Sequence, residues 1–301
     1  MAIKLSTDTD IVTAVSGLVG FTPRESIVSL MFGDAGQYIV TTRQDIDAQA
    51  THLPQMEQLG IVATLLIIIT EDLTADQVNQ LADQLADQYR RHGITMHRRL
   101  HTTQVSHGAS WRNIDDGTTG LVDDPEVSDA ALHSQMSGGQ PNRDRDQMRA
   151  DVERTTTEYT GEDHLAEYDA LVRLTAAVTT GAATELLSEG GRLAKSLAAH
   201  SAKSGHFRDL VLDLARQQPA ESAHVLTELA RYVRGTERGI LLTPAAVAAY
   251  LTGNGGRARI ILETAAASGE LTRMGTLLEQ VLDAGLPPTE LAAVIKAAVE
   301  G

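Results

Sequence analysis

Short apolar runs alternate with amphipathic stretches in the first half of the chain, and each has the period of one kind of element. Apolar residues at helical spacing predict a first helix over residues 8–18, which a glycine and a proline close. Two apolar runs, residues 27–32 and 38–42, flank a Gly-Asp-Ala-Gly turn and predict a β-hairpin. The chain therefore opens with a helix followed by two antiparallel strands.

A strand, a helix and a second strand follow. Residues 61–69 are β-branched and apolar on both faces, which is typical of a strand buried from two sides. Residues 73–91 place their apolar side chains in one stripe and predict an amphipathic helix, and residues 94–105 resume as a strand. This order predicts a right-handed crossover and a parallel strand pair within a mixed sheet.

The remaining stretches before residue 160 are shorter and more polar. Residues 109–114 predict another strand, residues 117–125 an acidic loop and residues 126–136 a short helix. Residues 46–59 are loosely helical, and residues 143–154 predict a highly charged, solvated helix. Together these pieces predict an α/β N-terminal domain with a mixed sheet over residues 1–160.

The strand pattern ends at about Gly161, and the rest of the chain is rich in Ala and Leu at helical spacing. Helices are predicted over residues 165–179, 183–199, 207–216, 220–234, 244–251, 257–267, 271–284 and 289–299. Small residues at 252–256 predict a helical hairpin over 246–267. The fold predicted for residues 161–301 is an all-α helical bundle or a degenerate TPR-like helical array.

Composition and charge exclude several classes of protein. The chain has 301 residues, a formal net charge of −15 and no cysteine, so disulfides, thiolate metal sites and cysteine nucleophiles are excluded. A net charge of this sign makes nucleic acid an unlikely partner. Twelve basic and 23 acidic residues precede Gly161, against 13 and 17 after it, so the helical half is nearly neutral.

The sequence gives no sign of a secretion signal or of a membrane span. Residues 1–10 lack an apolar stretch after a basic start, and the longest apolar run, residues 61–69, is too short to cross a bilayer as a helix. We therefore expect a cytoplasmic protein with no membrane partner.

Residues 10–30 read as a helix, the turn Gly20-Phe21-Thr22-Pro23, Ser26 and an apolar strand. This opening resembles a domain-of-unknown-function family that is widespread in actinobacteria and their phages. Further matches lie at residues 61–69, 111–128, 141–153 and 253–288. The resemblance implies the fold and leaves a phage-encoded accessory protein open, and it implies no activity.

The first candidate site is the turn of residues 20–26, which joins the first helix to the first strand. Arg24 and Ser26 could bind an anion at the edge of the sheet. The alternative is a helix end followed by a proline-fixed turn, in which the polar side chains satisfy backbone groups. Both readings stay open from the sequence, and the second is favoured.

The second candidate site surrounds Trp111 and Arg112, which lie within the predicted strand before the acidic loop. A lone Trp is either a core anchor of the hairpin or an exposed binding residue, and the small number of aromatic residues favours the core. With Arg24 and Ser26, these residues would form a small-molecule site at the strand ends, which is where open α/β sheets bind ligands.

Other clusters are better explained without a ligand. His97, Arg99 and His101 alternate along a predicted strand and, with His107, could make a metal or anion site, but a solvated sheet face is favoured. Six carboxylates between residues 115 and 129 lack the order of an EF-hand loop. Residues 253–258 match G-x-G-x-x-A but sit between helices, so a dinucleotide site is rejected.

These observations favour a non-enzymatic protein-binding or adaptor protein that uses its helical half, with no cofactor and an unidentified protein partner. The alternative is an enzyme or binder of a nucleotide or other small molecule, with its site at the strand ends of the α/β domain. Self-association into a homo-oligomer stays open.

Overall fold

The computed structural model describes residues 5–47, 59–136, 143–153, 155–162, 164–180 and 190–300. The chain divides into two compact units, the first comprising Met1–Arg145 with Asp283–Gly285, and the second Asp146–Leu282 with Leu286–Gly301. The first is an α/β unit with a mixed sheet and the second is helical, so the predicted fold class is confirmed. The predicted domain limits, at residues 160 and 161, stay a prediction.

A mixed sheet forms the centre of the first unit. Its strands within the described residues are β1 (Ser26–Gly33), β2 (Tyr38–Asp45), β3 (Ile61–Ile69), β4 (Thr95–Thr102), β5 (Ser110–Asn113) and β6 (Thr119–Leu121). The strand order is β2-β1-β3-β4-β5-β6, in which β3 and β4 are parallel and every other neighbouring pair is antiparallel. The parallel pair confirms the predicted strand–helix–strand crossover.

The prediction of a loop over residues 117–125 was wrong in part, because β6 lies within it. Three residues are too few to show a strand period in the sequence. Gly120 pairs with Trp111 across β5 and β6, and a Cβ atom at Gly120 would lie 2.5 Å from Cζ2 of the indole. The absence of a side chain at Gly120 therefore lets the Trp111 ring lie against β6.

Three helices accompany the sheet within the described part of this unit: α1 (Asp8–Val19), α2 (Ala75–Arg91) and α3 (Asp129–Met136). Capping boxes begin α1 at Thr7 and α2 at Thr74, each satisfying two backbone N–H groups. The apolar stripe of α2 packs on one face of the sheet, in a buried cluster that includes Leu66, Ile68 and Tyr89. Helix α1 contacts the other face through residues on β5, so the sheet is covered on both sides.

Helices α1 and α3 approach each other closely at Gly17. A Cβ atom built on Gly17 would lie 2.6 Å from the backbone oxygen of Ala130 and would also overlap backbone atoms of Ala131. Glycine at this position is therefore what allows the two helix backbones to meet.

The second unit is built from helices in its described part. They are α4 (Arg145–Glu153), α5 (Glu167–Thr180), α6 (Gly190–Lys203), α7 (Gly205–Gln217), α8 (Pro219–Leu229), α9 (Gly235–Leu251), α10 (Gly255–Ser268), α11 (Arg273–Ala284) and α12 (Pro288–Glu300). Helices α9 and α10 pack against each other across the glycine-rich connection, which confirms the predicted hairpin. Predicted helical residues 48–58 and 183–189, and predicted loop residues 137–142, lie outside the described residues.

Two helix predictions in this unit were wrong. Helix α9 does not begin at Pro244 but runs through it, because the helix is buried on nearly every side and its packing outweighs the lost backbone hydrogen bond. Helix α4 is not fully solvated: Met148 and Val152 are buried, and Arg149 Nη2 lies 2.8 Å from Glu263 Oε2. Charged residues around a short helix concealed its narrow apolar stripe.

None of the helices within the described residues is both long enough and apolar enough to pass through a lipid bilayer.

Candidate functional site

The residues proposed for the candidate sites lie along one end of the sheet. Ser26 on β1 is paired with Ile69 on β3, Ile69 with Thr102 on β4, and Thr102 with Trp111 on β5. This row crosses the carboxyl ends of the parallel strands, which is the usual ligand-binding edge of an α/β sheet. Three strand spacings separate Ser26 from Trp111, about 14 Å, so the two predicted sites share an edge without touching.

Ser26 is fully buried and both roles of its hydroxyl are in use. Its Oγ donates to the carbonyl oxygen of Arg24 at 2.5 Å and accepts from Arg43 Nε at 2.8 Å. The Arg24 side chain is exposed, with Nη2 3.6 Å from Asp144 Oδ2. The geometry of this turn matches the interpretation in which its polar side chains satisfy neighbouring groups of the protein.

Glu25, between these two residues, is one of the polar side chains that the second reading of this turn expects to satisfy backbone groups. It has a φ of 39°, the left-handed backbone region that side chains other than glycine rarely adopt. Its carboxylate accepts from Thr70 Oγ1 at 2.6 Å and from the backbone N–H of Glu71 at 2.8 Å, just after β3. These two bonds tie the start of β1 to the end of β3 and hold the unusual conformation.

Trp111 has the environment of a core residue. Only 6% of its surface is exposed. Its Nε1 lies 3.1 Å from Thr9 Oγ1 and 3.2 Å from the carbonyl oxygen of Leu121. The indole thus joins α1, β5 and β6 and has its donor satisfied. A small molecule at the strand ends would meet no free face of this ring without displacing α1 or β6.

Arg112 points to the opposite face of the sheet from Trp111, as successive strand residues do, and contacts α2 there. It is half-buried, and its Nη2 donates to Asn79 Oδ1 at 3.0 Å. His101 lies directly across from it on β4, with Nε2 3.4 Å from the carbonyl oxygen of Thr70. Of the four residues predicted for the site, Arg112 is the one whose charge faces a neutral partner.

Burial has the largest effect and lowers the pKa of His101; the hydrogen bond to the Thr70 carbonyl opposes it, and the positive charge of Arg112 adds the smallest effect, a further lowering. Protonation therefore favours the unfolded chain, in which a histidine has a pKa of about 6.5. We expect acidification from pH 7.5 to 5.5 to lower the free energy of unfolding less in His101→Gln than in the wild type. Urea denaturation at the two pH values measures this difference.

His97→Gln changes an exposed histidine of the same strand and is the matched control for that measurement. Equal pH dependence in the wild type and His101→Gln would contradict the assignment of His101 as a neutral, desolvated side chain.

The predicted alternation of His97, Arg99 and His101 is broken by an irregularity in β4. The pairing with β3 moves from Met96 directly to Arg98, so His97 has no partner in the register. Arg99 Nη1 lies 2.5 Å from Asp83 Oδ1 on α2, and Arg99 Nη2 lies 2.6 Å from Asp115 Oδ1, so two carboxylates balance its positive charge. No group of three or more His, Asp or Glu residues suited to a metal ion occurs in the part of the chain that the structure describes.

The acidic residues that follow β5 have separate structural roles. Asp115 pairs with Arg99, whereas Asp116 Oδ1 accepts from the N–H of Thr118 at 2.8 Å. Asp124 Oδ1 accepts from the N–H of Glu126 at 3.0 Å and begins a 3₁₀ turn, Pro125–Val127. These carboxylates form turns and an ion pair.

Comparison with known proteins adds the family to this description. No curated protein and no solved structure is significantly similar to the chain. One family matches residues 9–289, a span that contains both the strand-end edge and most of the helical unit. The chain therefore belongs to the family described as Domain of unknown function (DUF4192), as the resemblance of its opening residues indicated.

Proposed function

We propose that the chain is a non-enzymatic protein-binding protein and that a partner protein contacts its helical unit. The observation that carries this proposal is one uncharged, exposed face of α5, formed by Tyr168, Val172, Thr175, Ala176 and Thr179. These residues follow each other at helical spacing, so they lie side by side. Tyr168 is 77% exposed and Val172 46% exposed.

The composition of this face supports a protein partner. An isolated exposed apolar residue is common on any protein and needs no explanation. Here a tyrosine and a valine occupy neighbouring turns, and the three small residues beyond them would let a partner approach closely. Tyrosine is enriched among the residues that contribute most to protein–protein binding. The near-neutral charge of the helical half also removes long-range repulsion of acidic partners.

The test is an affinity pull-down with the full-length tagged chain from an extract of its own organism. We expect the double substitution Tyr168→Ser with Val172→Ser to reduce recovery of a co-purifying protein at least 10-fold, because it removes the apolar centre of the face. Val294→Ser changes an equally exposed valine on α12 and should leave recovery unchanged. Equal recovery with all three chains, or recovery of the tagged chain alone, would refute the proposal.

A second candidate function is the binding of a small molecule at the carboxyl edge of β3 and β4. The specific observation in its favour is Arg112, a half-buried arginine whose hydrogen-bond partner on α2 is a neutral amide. It lies at the edge where α/β sheets bind ligands, on the face that α2 partly covers. Trp111, the next residue along β5, lies on the opposite face of the sheet and supports this edge without contacting the ligand.

A further inference from the structure

We propose that Arg112, His101 and Asn79, together called the Arg112 site, bind an oxyanion, a carboxylate or phosphate group carried by a small molecule. The inference rests on the second candidate function and names the class of ligand for it. It is argued from charge compensation: on this face of the sheet Arg99 pairs with carboxylates, whereas Arg112 pairs with the amide of Asn79.

Arg99 and Arg112 present an internal comparison. Both lie on the face of the sheet that α2 covers, and each reaches a side chain of that helix. Arg99 meets Asp83 and also Asp115, so two carboxylates balance its charge. Arg112 meets Asn79, which lies one helical turn before Asp83. Successive turns of α2 therefore place a carboxylate beside Arg99 and an amide beside Arg112.

An amide oxygen satisfies one N–H of a guanidinium but adds no negative charge. Arginine has five N–H donors in a planar fork that matches the oxygens of a carboxylate or phosphate. Arg112 is half-buried and, within the described residues, makes no ion pair. The carboxylates that continue along the same two elements, Asp83 and Asp115, are both held by Arg99. An oxyanion would supply the missing charge.

His101 adds a second group that favours an anion. It is the cross-strand neighbour of Arg112, and only its Nε2 has a contact, to the Thr70 carbonyl, among the residues that the structure describes. Because Nε2 donates to that carbonyl, Nδ1 can donate to an oxyanion when the ring is protonated. The charge of Arg112 disfavours protonation of His101 in the empty site, and an anion between the two side chains would favour the protonated, donating ring.

Position in the fold supports access to the site. Arg112 pairs with Thr119 on β6, the strand at this end of the sheet, and His101 precedes the last residue of β4. The site thus lies near the corner where the carboxyl ends of the parallel strands meet the edge of the sheet that β6 forms. Ligands of open α/β sheets bind beyond this edge, beside the crossover helix.

The decisive variant is Asn79→Asp in the full-length chain. It places a carboxylate opposite Arg112, as Asp83 does for Arg99, so it should raise the melting temperature of the ligand-free chain and compete with an added anion. Calorimetric titration with inorganic phosphate and with acetate, at constant ionic strength, should show saturable binding by the wild type. We expect Asn79→Asp and Arg112→Met each to weaken that binding at least 30-fold.

Asp83→Asn is the matched control, because it removes a carboxylate from Arg99, one turn further along the same helix, and should leave anion affinity within about 3-fold. The phosphate and acetate arms show which oxyanion the site prefers. Binding of neither anion by the wild type, or equal binding by the wild type and Asn79→Asp, would overturn the oxyanion assignment.

A panel of neutral and cationic small molecules separates this failure from failure of the second candidate function. A thermal shift by a neutral or cationic compound that Arg112→Met abolishes would keep ligand binding at the strand ends and reject the oxyanion. No shift with any compound, together with no anion binding, would reject both.

Discussion

Gly17→Ala should lower the free energy of unfolding of the N-terminal unit by about 3 kcal/mol, the upper part of the range for over-packed sites. The added methyl group would overlap backbone atoms of Ala130 and Ala131 on α3. Backbone atoms cannot move aside as a flexible side chain can, so α1 and α3 would have to separate. The gain from replacing glycine within a helix, about 1 kcal/mol, is too small to offset this overlap.

Urea denaturation followed by the fluorescence of Trp111 measures this effect, since Trp111 is the single tryptophan of the chain and lies in the same unit. Gly255→Ala, in the second unit, is the control and is followed by circular dichroism: the new Cβ would meet Leu282 and Tyr250 at 3.8 and 3.9 Å, which is ordinary contact. A loss below about 0.5 kcal/mol for Gly17→Ala would show that the two helices are not in the close contact described.

Trp111→Ala should cost about 3–5 kcal/mol, as large aromatic residues do when they are truncated in a core. The substitution empties the space between α1, β5 and β6 and leaves the Leu121 carbonyl and the Thr9 hydroxyl without the indole N–H. Circular dichroism during urea denaturation is the appropriate measurement, because the variant has no tryptophan. Trp111→Phe should lose less, since it keeps most of the apolar volume.

Leu121→Ala provides the comparison for Trp111→Ala, because Leu121 is an exposed residue of the adjoining strand and its truncation should change stability by about 0.5 kcal/mol or less. If Trp111→Ala cost no more than Leu121→Ala, Trp111 would be an exposed binding residue. Loss of ligand binding in Trp111→Ala would then carry information about a site, whereas loss of folding does not.

The sequence predicted the elements whose period is long and undisturbed, and missed those that tertiary contacts decide. Helices α1 and α2 and strand β3 show clear patterns and were found. Strand β6 was missed because its three residues are held by pairing to β5 and by Trp111, which a local pattern cannot show. Pro244 suggested a helix start, but packing around α9 outweighs the local preference of proline.

The candidate site was predictable as an edge of the sheet and less so as a set of side chains. A strand, a helix and a strand are enough to place the ends of β3 and β4 together, and Ser26 and Trp111 do lie on that edge. Whether Arg112 faces an acid or an amide depends on the rotation of α2 over the sheet. That rotation, and the left-handed backbone of Glu25, follow from packing between segments distant in sequence.

The strand order has a consequence for how the first unit folds. Neighbouring strands in the sheet are also neighbours along the chain in every pair except β1 with β3. The hairpins close short loops, whereas cross-strand partners lie 28–43 residues apart in the β1–β3 pair and 32–33 residues apart in the β3–β4 crossover. Because the entropic cost of closure grows with loop length, these two long-range pairings contribute most to the contact order of the sheet and should limit its folding rate.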